Sequence, residues 1–155
     1  MAFEWWTGKT ETNTQDYQIE NFMLRVYEEA PENVKNLIKT TQGWGVHVNW
    51  DAVGPVAEWL GAHFHLRVYL ENMGPNLPEY QFPDPDPLIV DTEAEPLSNG
   101  KRHFERNIDV PAGAVDAGLF KLTCVIQVYD DNKNEPVPIA GFIEGPLVQF
   151  YVPQH

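Results

Sequence analysis

Gly43-Trp44-Gly45-Val46-His47-Val48-Asn49-Trp50 is the stretch whose reading decides the fold. Trp44, Val46, Val48 and Trp50 alternate with Gly45, His47 and Asn49, the two-residue period of a strand buried on one face. An amphipathic helix would return its apolar residues every three or four positions, and this run does not. The same period recurs at 63–70, where Phe64, Leu66, Val68 and Leu70 share one face and His63, His65, Arg67 and Tyr69 the other. It recurs again at 119–129, with Phe120, Leu122, Cys124, Ile126 and Val128 in phase. These apolar positions are expected to point inward together.

Outward from these runs the signal is more broken. Phe22, Leu24 and Val26 predict a strand at 22–28, although Ile19, Phe22, Met23 and Val26 also have helical spacing. Val34, Leu37 and Ile38 leave 32–40 open between a short helix and an irregular edge. Val56, Trp59 and Leu60 allow one helical turn after Pro55. Residues 74–87 read as a proline-rich surface loop anchored by Tyr80 and Phe82. Leu88 to Val90 suits a short strand, and Phe104 and Ile108 mark another, with Arg106 in their phase. Residues 138–152 form an apolar, interrupted strand whose last part, Leu147 to Val152, is apolar on both faces.

Seven or eight strands at a spacing of roughly ten residues predict an all-β, mainly antiparallel two-sheet sandwich. The 13 prolines and 11 glycines leave room for at most one or two short helices. Residues 17–155 are read as a single sandwich domain and residues 1–16 as a flexible aromatic arm carrying Phe3, Trp5 and Trp6. Val110-Pro-Ala-Gly, followed by Ala117-Gly-Leu-Phe-Lys-Leu122, resembles the turn-into-strand step of immunoglobulin-like and transthyretin-like sandwiches. That resemblance spans some 15 residues, implies the fold alone and carries no functional residue.

Charge narrows the partners. With 23 acidic and 10 basic residues the net charge is −13, which repels phosphate backbones and anionic membranes and also keeps a protein soluble. Cys124 is the single cysteine, so no intrachain disulfide forms, and its apolar alternating run makes it a small core residue. The first residues lack a basic, then apolar, leader, and nowhere do about 18 apolar residues run together. These features point to the cytoplasm and to no membrane insertion.

The residues offer several weak sites. His63 and His65 form an H-x-H pair, and His47 lies on the polar face of the preceding strand. If those two strands pair, three imidazoles converge as zinc or copper would require; the alternative is a solvated polar face. Asp130-Asp-Asn-Lys-Asn-Glu135 begins like a calcium loop, but Glu135 stands at the sixth place and Gly141 at the twelfth, so a hairpin loop is favoured. Asp84, Asp86, Asp91, Glu93 and Glu95 read as a solvated acidic run. Exposed tryptophans would suit a carbohydrate platform, but Trp44 and Trp50 are in the inward phase and Trp59 covers the same core. No G-x-S-x-G, Walker loop or H-E-x-x-H occurs, so an enzyme is disfavoured and no cofactor is expected. The favoured function is a non-catalytic interaction module, a subunit or adaptor of a larger intracellular assembly. It would meet a protein partner or a second copy through Phe3, Trp5, Trp6, Leu147 and Tyr151. The alternatives are a histidine-based zinc or copper sandwich and a carbohydrate-binding module.

Overall fold

Each of the three alternating runs is a strand, and each turns its apolar face into the space between two sheets. The structure is a computed structural model describing residues 5–12, 18–29, 36–54, 61–74 and 79–153. Its strands are β1 (Trp6–Thr7), β2 (Lys9–Thr12), β3 (Gln18–Glu28), β4 (Leu37–Lys39), β5 (Trp44–Val53) and β6 (Ala62–Asn72). They continue with β7 (Tyr80–Phe82), β8 (Leu88–Asp91), β9 (Lys101–Val110), β10 (Gly118–Asp130) and β11 (Pro136–Tyr151). A small sheet has the order β1-β3-β5-β9, and a large one runs β2-β11-β10-β6-β7, with β4 added on β11 and β8 on β6. The pairings are antiparallel apart from β4 with β11, which is parallel.

This is the two-sheet antiparallel sandwich expected. Among the described residues the strands number eleven rather than seven or eight, and none of these residues is helical. The additions, β1, β2, β4 and β7, are edge segments of two to four residues, too short to display a period. β3 and β4 settle Gln18–Glu28 and Leu37–Lys39 as strand, residues 30–35 lying outside the described ones, and β7 replaces part of the loop expected at 74–87. The helical turn expected at 55–60 lies outside the described residues.

All thirteen positions assigned inward from their period are buried. Trp50 of the small sheet stacks on Phe104 of β9 at 5.1 Å, and both meet Phe64 of the large sheet edge-on. Trp44 makes the corresponding contacts with Phe82 and Phe150 at the other end of the core. Arg106, in phase with Phe104 and Ile108, reaches the rim, where its guanidinium donates to Glu95 Oε1 at 2.9 Å.

Bulges in β11 and β3 account for breaks in the alternation. In β11 the register jumps from Leu147 opposite Lys121 to Glu144 opposite Thr123, with Gly145 and Pro146 between. The jump switches phase, so Val148 and Phe150 are buried while Leu147 faces out. Its apparent two-faced apolarity is therefore an ordinary alternation shifted by one residue. In β3 an extra residue falls between Glu20 and Met23, and Asn21 takes φ 52° there.

The aromatic arm expected at 1–16 is corrected over residues 5–12. Trp6 pairs with Leu24 at the edge of the small sheet, and Lys9 to Thr12 pair with β11 at the edge of the large one. Gly8 makes the crossing, donating its N–H to Phe22 O at 2.7 Å. A side chain there would put its Cβ 2.7 Å from Phe142 O and 2.8 Å from Phe22 Cδ2. The polar composition of the stretch suits an edge, because an edge strand contributes mainly backbone hydrogen bonds. Phe3 lies outside the described residues. Gly8→Val is expected to destabilise the fold by about 1–3 kcal/mol, the usual cost of overpacking. Urea unfolding measures it, and an unchanged midpoint would mean that the crossing is not close-packed.

Candidate functional site

The outer face of the small sheet is a polar network. On β5 the outward residues His47, Asn49 and Asp51 are covered by side chains from β3 and β9, and Asn49 and Asp51 are buried. Asn21 Nδ2 donates to Asp51 Oδ2 at 2.9 Å, and His103 Nδ1 donates to Asp51 Oδ1 at 2.6 Å. Lys101 Nζ lies 4.0 Å from the same carboxylate. Burial works against the charged form of Asp51, but the bonds from Asn21 and His103 and the nearby charges of His103 and Lys101 outweigh it. The carboxyl is held below its ordinary 3.8. His47 donates from Nδ1 to Asn107 Oδ1 at 2.5 Å, and its ring meets Trp5 edge-on at 5.8 Å. Arg25 lies over the Trp5 ring at 4.7 Å. Tyr27 crosses Gly45, where no side chain obstructs it, and its hydroxyl donates to Asp109. Burial, then that acidic partner, push the phenol's pKa up.

The three-histidine metal site is corrected by the topology. β5 pairs with β3 and β9, whereas β6 pairs with β10, β7 and β8, so His47 and the His63–His65 pair lie on different sheets. Among the described residues no three His, Cys, Asp or Glu side chains gather as metal ligands. His63 and His65 stack at 4.8 Å, His65 lies 3.7 Å from the Tyr129 ring, and His63 Nδ1 donates to Asp131 Oδ1 at 2.6 Å. Burial lowers the His65 pKa, and the charges of His63 and Arg67 lower it further. The 130–135 segment is a hairpin loop in which Asp130 Oδ1 accepts from Asn132 N at 2.7 Å.

The outer face of the large sheet is different. Gln149 stands between Leu119 on β10 and Leu37 on β4. Met73, just past β6, donates its N–H to Leu119 O at 3.0 Å and extends the row. Met73 and Leu37 are each 53% exposed, Leu147 in the adjacent row 51%, and Leu119 40%. Four large apolar side chains thus share one end of one face. Beside them Tyr69, Glu71, Glu79, Tyr80, Gln81 and Thr123 line an open cleft of about 550 Å³.

Of the contact residues expected from sequence, Leu147 belongs to this patch and half-buried Tyr151 lies at its margin, opposite Lys39. Trp5 sits on the outer face of the small sheet, and Trp6 is exposed at that sheet's edge. The structure therefore does not gather Trp5 and Leu147 into one surface. Trp44 and Trp50 are core, which removes them from any carbohydrate platform. Leu37, Met73 and Leu119 were missed, although Leu119 falls in the outward phase of its strand and carried a readable signal.

No protein-family model matches the chain, and no curated protein matches it. It is similar in structure to chicken MD-1, solved in complex with lipid IVa. The identity is 11%, the match covers 93% of this chain and 98% of that one, and the TM-score is 0.32. The cytoplasmic address expected from sequence is corrected here. It rested on a lone cysteine and on features of the first residues, which fix no compartment.

Two pH effects follow from the shifted groups. Unfolded, His65 takes up a proton near its ordinary 6.5, and folded it resists protonation until lower pH. The unfolded chain then binds more protons, so stability falls as pH drops below about 6.5. His65→Gln is expected to flatten that fall in thermal melts between about pH 7 and 5; an identical slope would remove His65 as its source. For Asp51, stability is present above its ordinary 3.8 and is lost as pH falls through the lower folded value. Asp51→Asn should therefore destabilise at neutral pH and abolish this acid-dependent loss, as read by melts from about pH 7 to 2.

Proposed function

We propose that this protein is a non-catalytic binding module, a subunit or adaptor that docks on a protein surface through the outer face of its large sheet. The observation that carries this reading is the exposed apolar group of Leu37, Met73, Leu119 and Leu147 on adjacent strands. Apolar side chains scattered singly over a surface need no explanation, but a contiguous group does. Covering it removes apolar area from water at about 25 cal/mol per Å², a gain available only on association. The sheet beneath is rigid and fully paired at β10, so the anchors are held in position before contact. Leu147 and Tyr151 keep the contact role assigned from sequence, whereas Trp6 lies at the edge of the other sheet.

The metal and carbohydrate alternatives have no comparable observation. On the outer face of the small sheet Asp51 and His47 are already held by neighbouring side chains.

A photoreactive phenylalanine analogue at position 119 or 147 tests the proposal in the cell that makes the protein. Discrete covalent protein adducts are expected from both positions, and none from position 107 on the opposite face. Adducts from position 107 alone, or from none of the three, would sink the reading.

A further inference from the structure

Two glutamates, Glu71 and Glu79, line one cleft beside the apolar row. β6 and β7 pair Tyr69 with Gln81 and Leu70 with Tyr80, and Glu71 and Glu79 are the residues that follow the last pair on either side. Like charges directly opposed across a ladder destabilise it. Lys121 is Glu71's neighbour on the other side, yet its Nζ goes to Glu144 at 3.6 Å. Among the described residues no cation pairs with Glu71 or Glu79.

Both carboxylates line the open cleft of about 550 Å³, together with Tyr69 and Tyr80. That is ample room for a guanidinium or ammonium group, with the Tyr69 ring beside it on which a cation can rest. Tyr80 turns inward from the cleft's floor: its hydroxyl accepts from Asp116 N at 3.2 Å, and its ring meets buried Phe120 edge-on. Glu71 lies two residues before Met73, roughly 7 Å along the same face, so the cleft adjoins the apolar row.

We infer that the occupant of this face is a protein segment carrying an arginine or lysine next to its apolar anchors, and that this basic side chain seats between Glu71 and Glu79. The inference rests on the docking reading above and adds the partner's chemistry to it. An arginine fits best, because its planar fork can donate to both carboxylates at once. The insertion converts a repulsive pair into two attractive ones, and the chain's net charge of −13 steers a basic partner toward it. An acidic partner is rejected by the same pair.

The test uses the full chain and a fluorescein-labelled peptide of alternating leucine and arginine, read by anisotropy at about 0.15 M salt to suppress distant charge effects. Glu71→Gln/Glu79→Gln is expected to weaken binding at least tenfold, a size usual for losing the partner of a close charge pair (~10-fold or more). Glu20→Gln/Glu93→Gln, which removes the same charge elsewhere, should change it by less than about twofold. Equal weakening by the two double variants would overturn the inference, since only net charge would then matter. Binding by Leu119→Glu/Leu147→Glu that matches the wild type would instead overturn the docking reading beneath it. Thermal melts give a separate readout. Glu71→Gln/Glu79→Gln should melt at or above the wild-type temperature because it relieves repulsion, and a lower melting temperature would make the pair structural.

Discussion

The parallel stack of Trp50 on Phe104, closed edge-on by Phe64, sets the distance between the two sheets. Two of the rings come from the small sheet and one from the large, and none has appreciable exposure. Aromatic side chains of this size bury roughly 150–250 Å² each, and Trp44 with Phe82 and Phe150 repeats the arrangement at the other end of the core. With the stack in place, neighbouring inward positions take aliphatic residues that fill the remaining gap, Val48, Leu66 and Ile126 among them. Every other feature is then a question of what the outward positions do.

The two outer faces answer it in opposite ways. On the small sheet, outward polar residues bind one another across three strands. Asp51 gathers Asn21, His103 and Lys101, and His47 gathers Asn107 and Trp5. A carboxylate already supplied with donors gains little by exchanging them for a partner's. Among the described residues, the large sheet carries exposed apolar side chains and two carboxylates with no ion-pair partner. Both conditions raise the free energy of the isolated domain, and both are relieved by one kind of contact.

Much of the fold was legible because one face of each long strand is uniformly apolar. Phe64 to Leu70 and Phe120 to Val128 are spaced by two without exception, and a backbone of period two follows directly. The site was less legible because adjacency in sequence does not say which strands pair. β5 and β6 follow one another across a short connection, as a hairpin does, yet the chain passes from one sheet to the other there. His47 is thereby carried to the opposite side of the molecule from His63 and His65. The bulges were hidden for a related reason: Gly145-Pro146 reads as an interruption, and only the pairing with Lys121 and Thr123 reveals a shift of one residue. The N-terminal stretch misled through composition, since polar residues are compatible both with a detached arm and with edge strands such as β2.

The apolar row is the clearest case of a feature that exists only in the folded chain. Leu37, Met73, Leu119 and Leu147 are spread over more than a hundred residues of sequence, and each alone is an ordinary surface residue. The parallel addition of β4 to β11 brings Leu37 beside Gln149, and the antiparallel pairing of β11 with β10 brings Leu119 to its other side. Removing β4 would leave the core nearly complete, because of its three residues only Ile38 is buried. That short strand therefore contributes more to the shape of the outer face than to the interior. The same holds for β7, whose partly buried Tyr80 and Phe82 anchor the segment that carries Glu79 toward Glu71. The long strands make the sandwich stable, while the short edge strands determine what its large outer face presents.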